Sequence, residues 1–582
     1  MKTRLALAQA ALALLLAGCS TLQPYSATQA TPVMKSLLTP EEMAPPPEEQ
    51  SPHPTAFRRD VLARLLVAEF AAQQEDYATL LRNYREVAVD TQDPGVIERA
   101  VRIAQFVKDE EALTELALLW AKNEPANVEA HQLAAFQLIK AKRYQEAIAQ
   151  MEAVMGLGGA SRFDRLALHA QNLNEEERHQ LTELYRQLMT RHPDEDEIAY
   201  GYALLLEMDG QLDAALAITT DLIRHSDDEN ILALHARMLA NKDLEQGLAF
   251  LQQATREQPE SLILGTLHAR MLIKAEKLED AMSEYERLMA LQPEASHLRL
   301  SHALVALEAR KYDIARSELE ALVRDNKHQN EAQFFLGRLA DLQNRTDEAI
   351  QHYLAVRQGG RYFDALGRAA YLLLSEGRNA EAQAAFDDAR NQYPDQAAQL
   401  WDIQINVWMQ AKHEEEALRL ADQAISEYPD DIQLRYARAM LNDRLGNAEA
   451  MEEDLRYILE LEPDNATAMN ALGYSWANRN VRLAEARDLI ARALELDPDN
   501  PAIMDSMGWV LYRLGDPETA LTWVHKAWDK MKDPEVAAHL GELLWLKGER
   551  DKAAAIWKEG LEKAPDHPII RETMERLGAG SL

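Results

Sequence analysis

The clearest signal in the chain is residues 466–565, which read ATAMNALGYSWANRNVRLAEARDLIARALELDPDN (466–500), PAIMDSMGWVLYRLGDPETALTWVHKAWDKMKD (501–533) and PEVAAHLGELLWLKGERDKAAAIWKEGLEKAP (534–565). Small residues recur in this stretch at steps of 33 to 35: Gly473, Gly508 and Gly541 in one column, and Ala486, Ala520 and Ala553 in another. Such a period exceeds one helix and falls short of one domain, so each unit needs a neighbour to bury its apolar face. The sequence therefore predicts a stack of repeats.

Prolines carry the same period through most of the chain. Their spacings lie within two residues of a multiple of 34 across the set Pro125, Pro193, Pro259, Pro293, Pro394, Pro429, Pro463, Pro498 and Pro565. A proline near position 32 ends the second helix of a unit, because it lacks an N–H and disfavours helix at the preceding residue. Small residues at positions 8 and 20 mark the closest approach of two antiparallel helices, and a bulky residue at position 24, such as Tyr285 or Trp557, fills the space where they diverge.

This pattern resembles the tetratricopeptide repeat. In the clearest unit the signature falls on Leu540, Gly541, Leu544, Ala553, Trp557 and Pro565. The resemblance implies an all-α solenoid, a right-handed superhelix of about 15 helix pairs closed by a C-terminal capping helix. We expect pairs to start near 59, 94, 128, 162, 196, 228, 262, 296, 330, 363, 398, 432, 466, 501 and 534. The first and fourth pairs depart from the pattern at Arg82 and Leu181.

Residues 1–18 have the parts of an export signal: Lys2 and Arg4, an apolar run, then small residues. The segment Leu-Ala-Gly before Cys19 resembles the lipobox of bacterial lipoproteins, and Cys19 is the one cysteine of the chain. The resemblance implies cleavage before Cys19 and its acylation; Ser20 resembles the pattern sorted to the outer membrane, whose periplasmic face is the expected location. An ordinary signal peptide with an accidental cysteine is the alternative.

The remaining chain divides by composition. Residues 19–56 form a proline-rich tether after the lipidated cysteine, residues 57–193 degenerate helical repeats, residues 194–565 a regular array, and residues 566–582 a capping helix and tail. Apolar residues at helical spacing near residue 60 are either an atypical end cap or a docking helix for a partner.

The net charge and the motifs of the sequence limit the classes of function that the chain could have. The formal net charge of −34 argues against nucleic acid and against broad contact with anionic lipid. It is either a solvated acidic surface or a field that attracts basic partners. The 16 histidines show no metal-ligand spacing, and no nucleophile motif occurs. We predict no catalytic residues, no metal and no cofactor.

A groove for protein ligands is expected along the first helices, near positions 2, 5, 9 and 12 of each unit. In the last complete repeats the candidates are Asn470, Tyr474, Asp505, Trp509, Tyr512, Arg513 and Trp545. Aromatic and arginine side chains carry much of the binding energy of interfaces. Trp523, Trp528 and Trp557 belong to second helices and are expected to pack in the core.

An exported, lipidated repeat array without catalytic residues is predicted to be a scaffold. The arrangement is similar to the lipoprotein adaptors of periplasmic carboxyl-terminal processing proteases. That resemblance implies binding of the protease and delivery of protein substrates such as cell-wall hydrolases, which would regulate peptidoglycan. The alternatives are a lipoprotein for pilus, secretion or exopolysaccharide-export assembly, and a regulator of a peptidoglycan synthase.

Overall fold

Helices make up every regular element that the computed structural model describes, which covers residues 58–580. Within that range there are 31 α-helices, two short 3-10 turns and no strand. The all-α prediction is confirmed. The expected signal peptide, Cys19 and the tether lie outside the described residues. Within residues 58–580, no helix combines the length and apolar character needed to span a membrane.

Contacts divide the described residues into two units, and the first covers residues 58–292. Its helices are α1 (Arg59–Gln73), α2 (Tyr77–Thr91), α3 (Pro94–Val107), α4 (Glu110–Asn123), α5 (Val128–Lys140), α6 (Tyr144–Gly156), α7 (Phe163–His169), α8 (Glu175–Arg191), α9 (Asp196–Met208), α10 (Leu212–Leu222), α11 (Glu229–Lys242), α12 (Leu244–Glu257), α13 (Leu262–Lys274) and α14 (Leu278–Leu291). They make seven consecutive pairs, α1 with α2 through α13 with α14.

The second unit covers residues 293–580. Its helices are α15 (Ser296–Glu308), α16 (Tyr312–Arg324), α17 (Gln329–Leu342), α18 (Thr346–Ala355), α19 (Tyr362–Ser375), α20 (Asn379–Gln392), α21 (Ala397–Gln410), α22 (Glu414–Glu427), α23 (Ile432–Arg444), α24 (Ala448–Leu461), α25 (Ala466–Asn478), α26 (Leu483–Leu496), α27 (Pro501–Arg513), α28 (Pro517–Lys530), α29 (Pro534–Leu546), α30 (Arg550–Lys563) and α31 (Pro568–Arg576). They make eight pairs and one final helix.

The predicted register is confirmed throughout the described chain. Each first helix begins within one residue of the position expected from the period, and the seven and eight pairs of the two units make the expected 15. The final helix α31 covers the last apolar surface with Ile570 and Met574, as expected of a cap. The division of the array at 193/194 stays a prediction; contacts place the boundary of the two units after Gln292.

Local chemistry explains where the helices begin and end. Side-chain caps satisfy free N–H groups at several starts: Asp93 accepts from the Val96 amide at 3.1 Å, and Asn465 accepts from the Ala468 amide at 2.9 Å. Proline stands at the first position of α27 and α29, where its missing N–H costs nothing. At the other end, α26 and α30 stop two residues before Pro498 and Pro565.

The closest helix contacts lie where small residues were predicted. A Cβ added at Gly473 would lie 2.7 Å from Ile490 Cγ1 and 3.0 Å from the Ala486 carbonyl oxygen. A Cβ at Gly508 would meet the Ala520 carbonyl oxygen at 2.9 Å. These glycines and alanines therefore let the two backbones of a pair touch, as a methyl group would not fit. The bulky position-24 residues Tyr285, Tyr353, Phe386 and Trp557 are buried, also as predicted.

The fourth pair departs from the others. Its first helix α7 has 7 residues, whereas the other first helices have 13 to 15. A 3-10 turn at Ala170–Asn172 ends it, and Asn174 then caps the long helix α8 by accepting from the Glu177 amide at 2.9 Å. The polar residues 172–178 thus hold both a break in the pattern and the first turn of α8.

We expect Gly508→Ala to destabilise the α27–α28 pair by about 1–3 kcal/mol, because the added methyl group overpacks the helix contact. Hydrogen exchange of the amides in α27 and α28 measures this local free energy. Gly367→Ala in α19 is the matched control. Its Cβ would lie 3.6 Å from the nearest atom, Val407 Cγ2, so we expect a gain of about 0.5–1 kcal/mol from helix propensity. Equal effects of the two substitutions would refute the contact argument.

Candidate protein-binding surfaces

The first helices of the last repeats lie side by side. α25 contacts α27, α27 contacts α29, and α29 contacts the final helix α31. Side chains at corresponding positions of these helices can therefore meet across repeats. The structure assembles there three aromatic residues, a histidine, three carboxylates and an arginine. We call this set the C-terminal polar cluster: Tyr474, Asp505, Trp509, Tyr512, Glu535, His539, Glu542 and Arg576.

Tyr474 links the cluster across two repeats. Its hydroxyl donates to Glu535 Oε1 at 2.5 Å and lies 3.5 Å from His539 Nε2. Burial, and then the charge of Glu535, raise the pKa of Tyr474 well above its usual range. The hydroxyl therefore stays protonated and available as a hydrogen-bond donor.

His539 lies at the centre of the cluster. Its Nδ1 is 2.8 Å from Asp505 Oδ2, and its ring stacks on Trp509 with centroids 4.0 Å apart and an interplanar angle of 18°. Burial is the largest influence and lowers the pKa of His539, but Asp505, Glu535 and Glu542 together raise it above its usual value. The cluster thus favours the imidazolium, which pairs with the buried carboxylate of Asp505.

A second charged contact closes the cluster at its carboxyl-terminal side. Glu542 is buried, accepts from the Tyr512 hydroxyl at 3.1 Å and pairs with Arg576 Nη2 at 2.5 Å. Because Arg576 lies in α31, the capping helix supplies the cation for this carboxylate. A buried carboxylate needs such a partner to offset the loss of water.

The seven predicted groove residues fall into two groups. Tyr474, Asp505, Trp509 and Tyr512 join the cluster, although Trp509 keeps only 5% of its surface exposed. Asn470, Arg513 and Trp545 are half-buried. The Arg513 guanidinium lies 5.9 Å from the Trp509 ring centroid, and the Trp545 ring lies 5.6 Å from that of Trp557. Their role in binding a ligand stays a prediction.

Sequence reasoning missed four members: Glu535, His539, Glu542 and Arg576. Glu535 and Glu542 occupy positions 2 and 9 of the last repeat, so the rule that selected Trp545 at position 12 also selects them. A carboxylate on a helix is more often expected on its solvated face. His539 is one turn beyond Glu535, a spacing that places both on one side of α29.

Helix α1 presents a different kind of surface. Leu62, Leu66 and Phe70 are spaced by four residues and are exposed, and Val67 beside them is exposed as well. On the other side of the helix, Val61, Ala68 and Ala71 are buried. Exposed apolar side chains at helical spacing are typical of surfaces that bind another protein. The structure thus places an apolar stripe at the end repeat, where the sequence left a cap and a docking helix as alternatives.

No group of three or more histidine, cysteine or acidic side chains within residues 58–580 is arranged to hold a metal ion. The ionisable residues of the C-terminal polar cluster are instead paired with one another. The packed helices hold this network rigidly, with Asp505, Trp509, His539 and Glu542 buried and Tyr512, Glu535 and Arg576 reaching the surface.

We expect His539→Gln to destabilise the protein by about 3–5 kcal/mol, since it leaves the buried charge of Asp505 without a cation. The folded pKa of His539 lies above the usual 6.5, so its protonation stabilises the fold. That contribution is complete below about pH 6.5 and is lost as the pH rises through the folded value. Thermal unfolding followed by tryptophan fluorescence should therefore show a larger difference from the wild type at about pH 6 than at about pH 9.

The exposed His525→Gln is the control for this experiment. A difference between wild type and His539→Gln that stays constant across this pH range would contradict the assigned charge of His539.

Comparison with known proteins places these helices in a family. The model of a family described as "Tetratricopeptide repeat" matches residues 300–362 and 436–501. The TPR repeat-containing protein PA4667 of Pseudomonas aeruginosa is 38% identical over 565 residues, which cover 97% of this chain and 95% of that protein.

Solved structures with similarity include a thermophilic TPR protein of Thermus thermophilus and a tetratricopeptide repeat protein of Parabacteroides merdae. The first is 22% identical and covers 31% of this chain and 98% of its own, with a TM-score of 0.29. The second is 14% identical and covers 49% of this chain and 98% of its own, with a TM-score of 0.33. The full-length relative and the matched repeats show that this chain belongs to the tetratricopeptide repeat family.

Proposed function

We propose that the protein is a non-catalytic adaptor anchored by lipid at the periplasmic face of the outer membrane. It binds a periplasmic protease of the carboxyl-terminal processing class and presents protein substrates to it, among them cell-wall hydrolases. Through the amounts of those hydrolases it regulates peptidoglycan. Membership of a family of protein-binding repeats supports the scaffold role, and the lipobox-like sequence before Cys19 supports the location.

The observation that carries the proposal is the presence on one chain of the exposed apolar stripe of α1 and of a polar cluster whose members Tyr512, Glu535 and Arg576 are partly or fully exposed. The stripe on α1 is apolar, whereas the C-terminal polar cluster is rich in aromatic rings and carboxylates. An adaptor must bind an enzyme and a substrate at the same time, and two surfaces of different chemistry allow two different partners. The apolar stripe suits the stable enzyme partner, since obligate interfaces are the more hydrophobic ones.

The polar cluster suits the exchanging substrates through its exposed and partly exposed members Arg576, Tyr512 and Glu535. Charged and hydrogen-bonding groups select a partner and guide its approach more than they hold it. The net charge of −34 acts in the same direction, because it attracts segments of basic proteins.

We expect Leu66→Glu/Phe70→Glu to weaken binding of the protease by about tenfold or more, since charges replace apolar side chains at the centre of the stripe. The substituted residues are exposed, so the fold should persist. The measurement is co-purification from envelope extract, followed by titration of the protease. Leu342→Glu in α17 is the matched control, because Leu342 is 46% exposed and Leu66 is 50% exposed. Recovery of pilus, export or synthase proteins in place of a protease would contradict the proposal.

A deletion strain provides an independent readout of the adaptor. Loss of the protein should raise the abundance of particular hydrolases, because they would no longer be delivered for degradation. Quantitative proteomics of the envelope measures this. Unchanged hydrolase levels would count against the adaptor function even if a protease binds.

For the anchor, we expect Cys19→Ser to move the protein from the outer-membrane fraction to the soluble periplasmic fraction. Two or three acyl chains give stable anchoring, and the substitution removes the sulfur to which the diacylglycerol would be attached. Membrane fractionation and the mass of the mature amino terminus test this. A wild-type protein recovered in the soluble fraction would disprove the lipid anchor.

A further inference from the structure

The junction between the third and fourth helix pairs is packed unlike the others in the unit formed by residues 58–292. At each other junction in this unit, the second helix of one pair packs closely along the first helix of the next. Helix α6 is the exception, because it packs closely against its own partner α5 but against neither α7 nor α8. We call residues 157–162, which connect α6 to α7, the α6–α7 joint.

Open space takes the place of the missing helix contact. A pocket of about 410 Å³ lies between α5, α6 and α7, and the ring of Phe136 at this pocket is 58% exposed. A second pocket, of about 630 Å³, separates the start of α6 from the first half of α8, and Tyr144 and Leu184 are among its lining residues. Rotation of the third pair against the fourth therefore meets space where other junctions have packed helices.

Side chains, not helix backbones, connect the two pairs across the joint. Met151 of α6 and Leu166 of α7 are buried in the same apolar cluster, together with Phe163. Hydrophobic attraction has no preferred direction, so such contacts hold two surfaces together while one slides over the other. This is the usual behaviour of packed elements in a shear or hinge motion.

Hydrogen bonds locate the turning point between Ala160 and Ser161. On one side, Gln132 Nε2 of α5 donates to the Ala160 carbonyl oxygen at 3.1 Å. On the other side, Ser161 Oγ donates to Glu197 Oε2 of α9 at 2.5 Å. These two neighbouring residues are thus fixed to different helix pairs, the third and the fifth. A change in the backbone between them would move one group of helices relative to the other.

Two sets of polar contacts cross from the α5–α6 pair to α8 and limit this motion. Near the start of α8, Lys142 Nζ lies 2.6 Å from Glu177 Oε1. At its end, Glu152 Oε1 accepts from Arg191 Nε at 3.0 Å and lies 2.8 Å from His192 Nε2. All five side chains keep part of their surface exposed, and ion pairs in contact with water contribute little to stability. They therefore favour one position of the joint without locking it.

We propose that the α6–α7 joint is a hinge about which the first three helix pairs, residues 59–156, rotate as one body relative to the later pairs of the unit, residues 163–291. The contacts of Lys142 and Glu152 with α8 hold its resting position. The apolar stripe on α1 belongs to the part that moves. The hinge thus lets a partner bound at the stripe change its position relative to the later repeats of the unit. The inference does not depend on the identity of that partner.

Double electron–electron resonance between spin labels tests the hinge on the full chain. Cys19→Ser removes the one native cysteine, and labels are attached at the exposed positions Ala149→Cys in α6 and Thr220→Cys in α10, on either side of the joint. The control pair is Thr220→Cys with Ser283→Cys in α14, which also spans two junctions, both of them packed. We expect the distance distribution of the first pair to be about twofold wider than that of the control pair.

Removal of the polar contacts should free the hinge. Lys142→Gln/Glu152→Gln should widen the distribution of the first label pair by a further factor of about 1.5. Lys277→Gln is the matched control, because Lys277 also pairs across a junction, with Glu245 at 2.9 Å, but the helices at that junction are packed. It should leave the distribution of the control label pair unchanged. Circular dichroism checks that each variant is folded.

Equal widths for the two label pairs would overturn the hinge, since the α6–α7 joint would then be as rigid as a packed junction. A wide distribution that Lys142→Gln/Glu152→Gln leaves unaltered would overturn the holding role of the polar contacts. Both measurements are made without a protease. Failure to recover a protease from envelope extract would therefore refute the adaptor function and leave the hinge intact, and a rigid joint would refute the hinge alone.

Discussion

The close contact between the two helices of a repeat governs how the whole array is built. At Gly473 and Gly508 the backbone of a first helix touches that of its partner so closely that a methyl group has no room. This contact fixes the angle within a pair, and the residue at position 24 fills the opening wedge. Each pair then exposes an apolar side, which the next pair must cover. The array is therefore built by repeating the same packing arrangement.

The same repetition decides which polar side chains come together. Equivalent positions of successive first helices come together, so residues about 34 apart in sequence become neighbours, as Asp505 and His539 do at 2.8 Å. The C-terminal polar cluster is made in this way from four helices, none of which carries it alone. The fourth pair is the exception, since its first helix α7 is too short to continue the pattern.

The fold was predictable because its signals are local and repeated. Proline and glycine act through their own backbones, so Pro501, Pro534 and Gly541 report helix starts and contacts without knowledge of the rest of the chain. The candidate site was less predictable. From the sequence alone, Glu542 resembles a surface residue, but in the structure the capping helix brings Arg576 to it. Trp509 resembles a groove residue, but in the structure His539 stacks on its ring. Both contacts join residues that are at least 30 positions apart in sequence. The repeat period alone does not show which of these distant side chains will meet.

The capping helix limits how the array could be altered. Helix α31 both covers the apolar side of the last pair and provides the cation for Glu542. Replacement of this helix therefore affects both interactions at once. A different terminal helix in its place could cover the apolar surface and keep the protein soluble, but it would leave the buried Glu542 carboxylate without a cation. Inserted copies of a repeat should therefore be tolerated in the middle of the chain but destabilising at this terminus. There a single helix covers the apolar surface and neutralises a buried carboxylate.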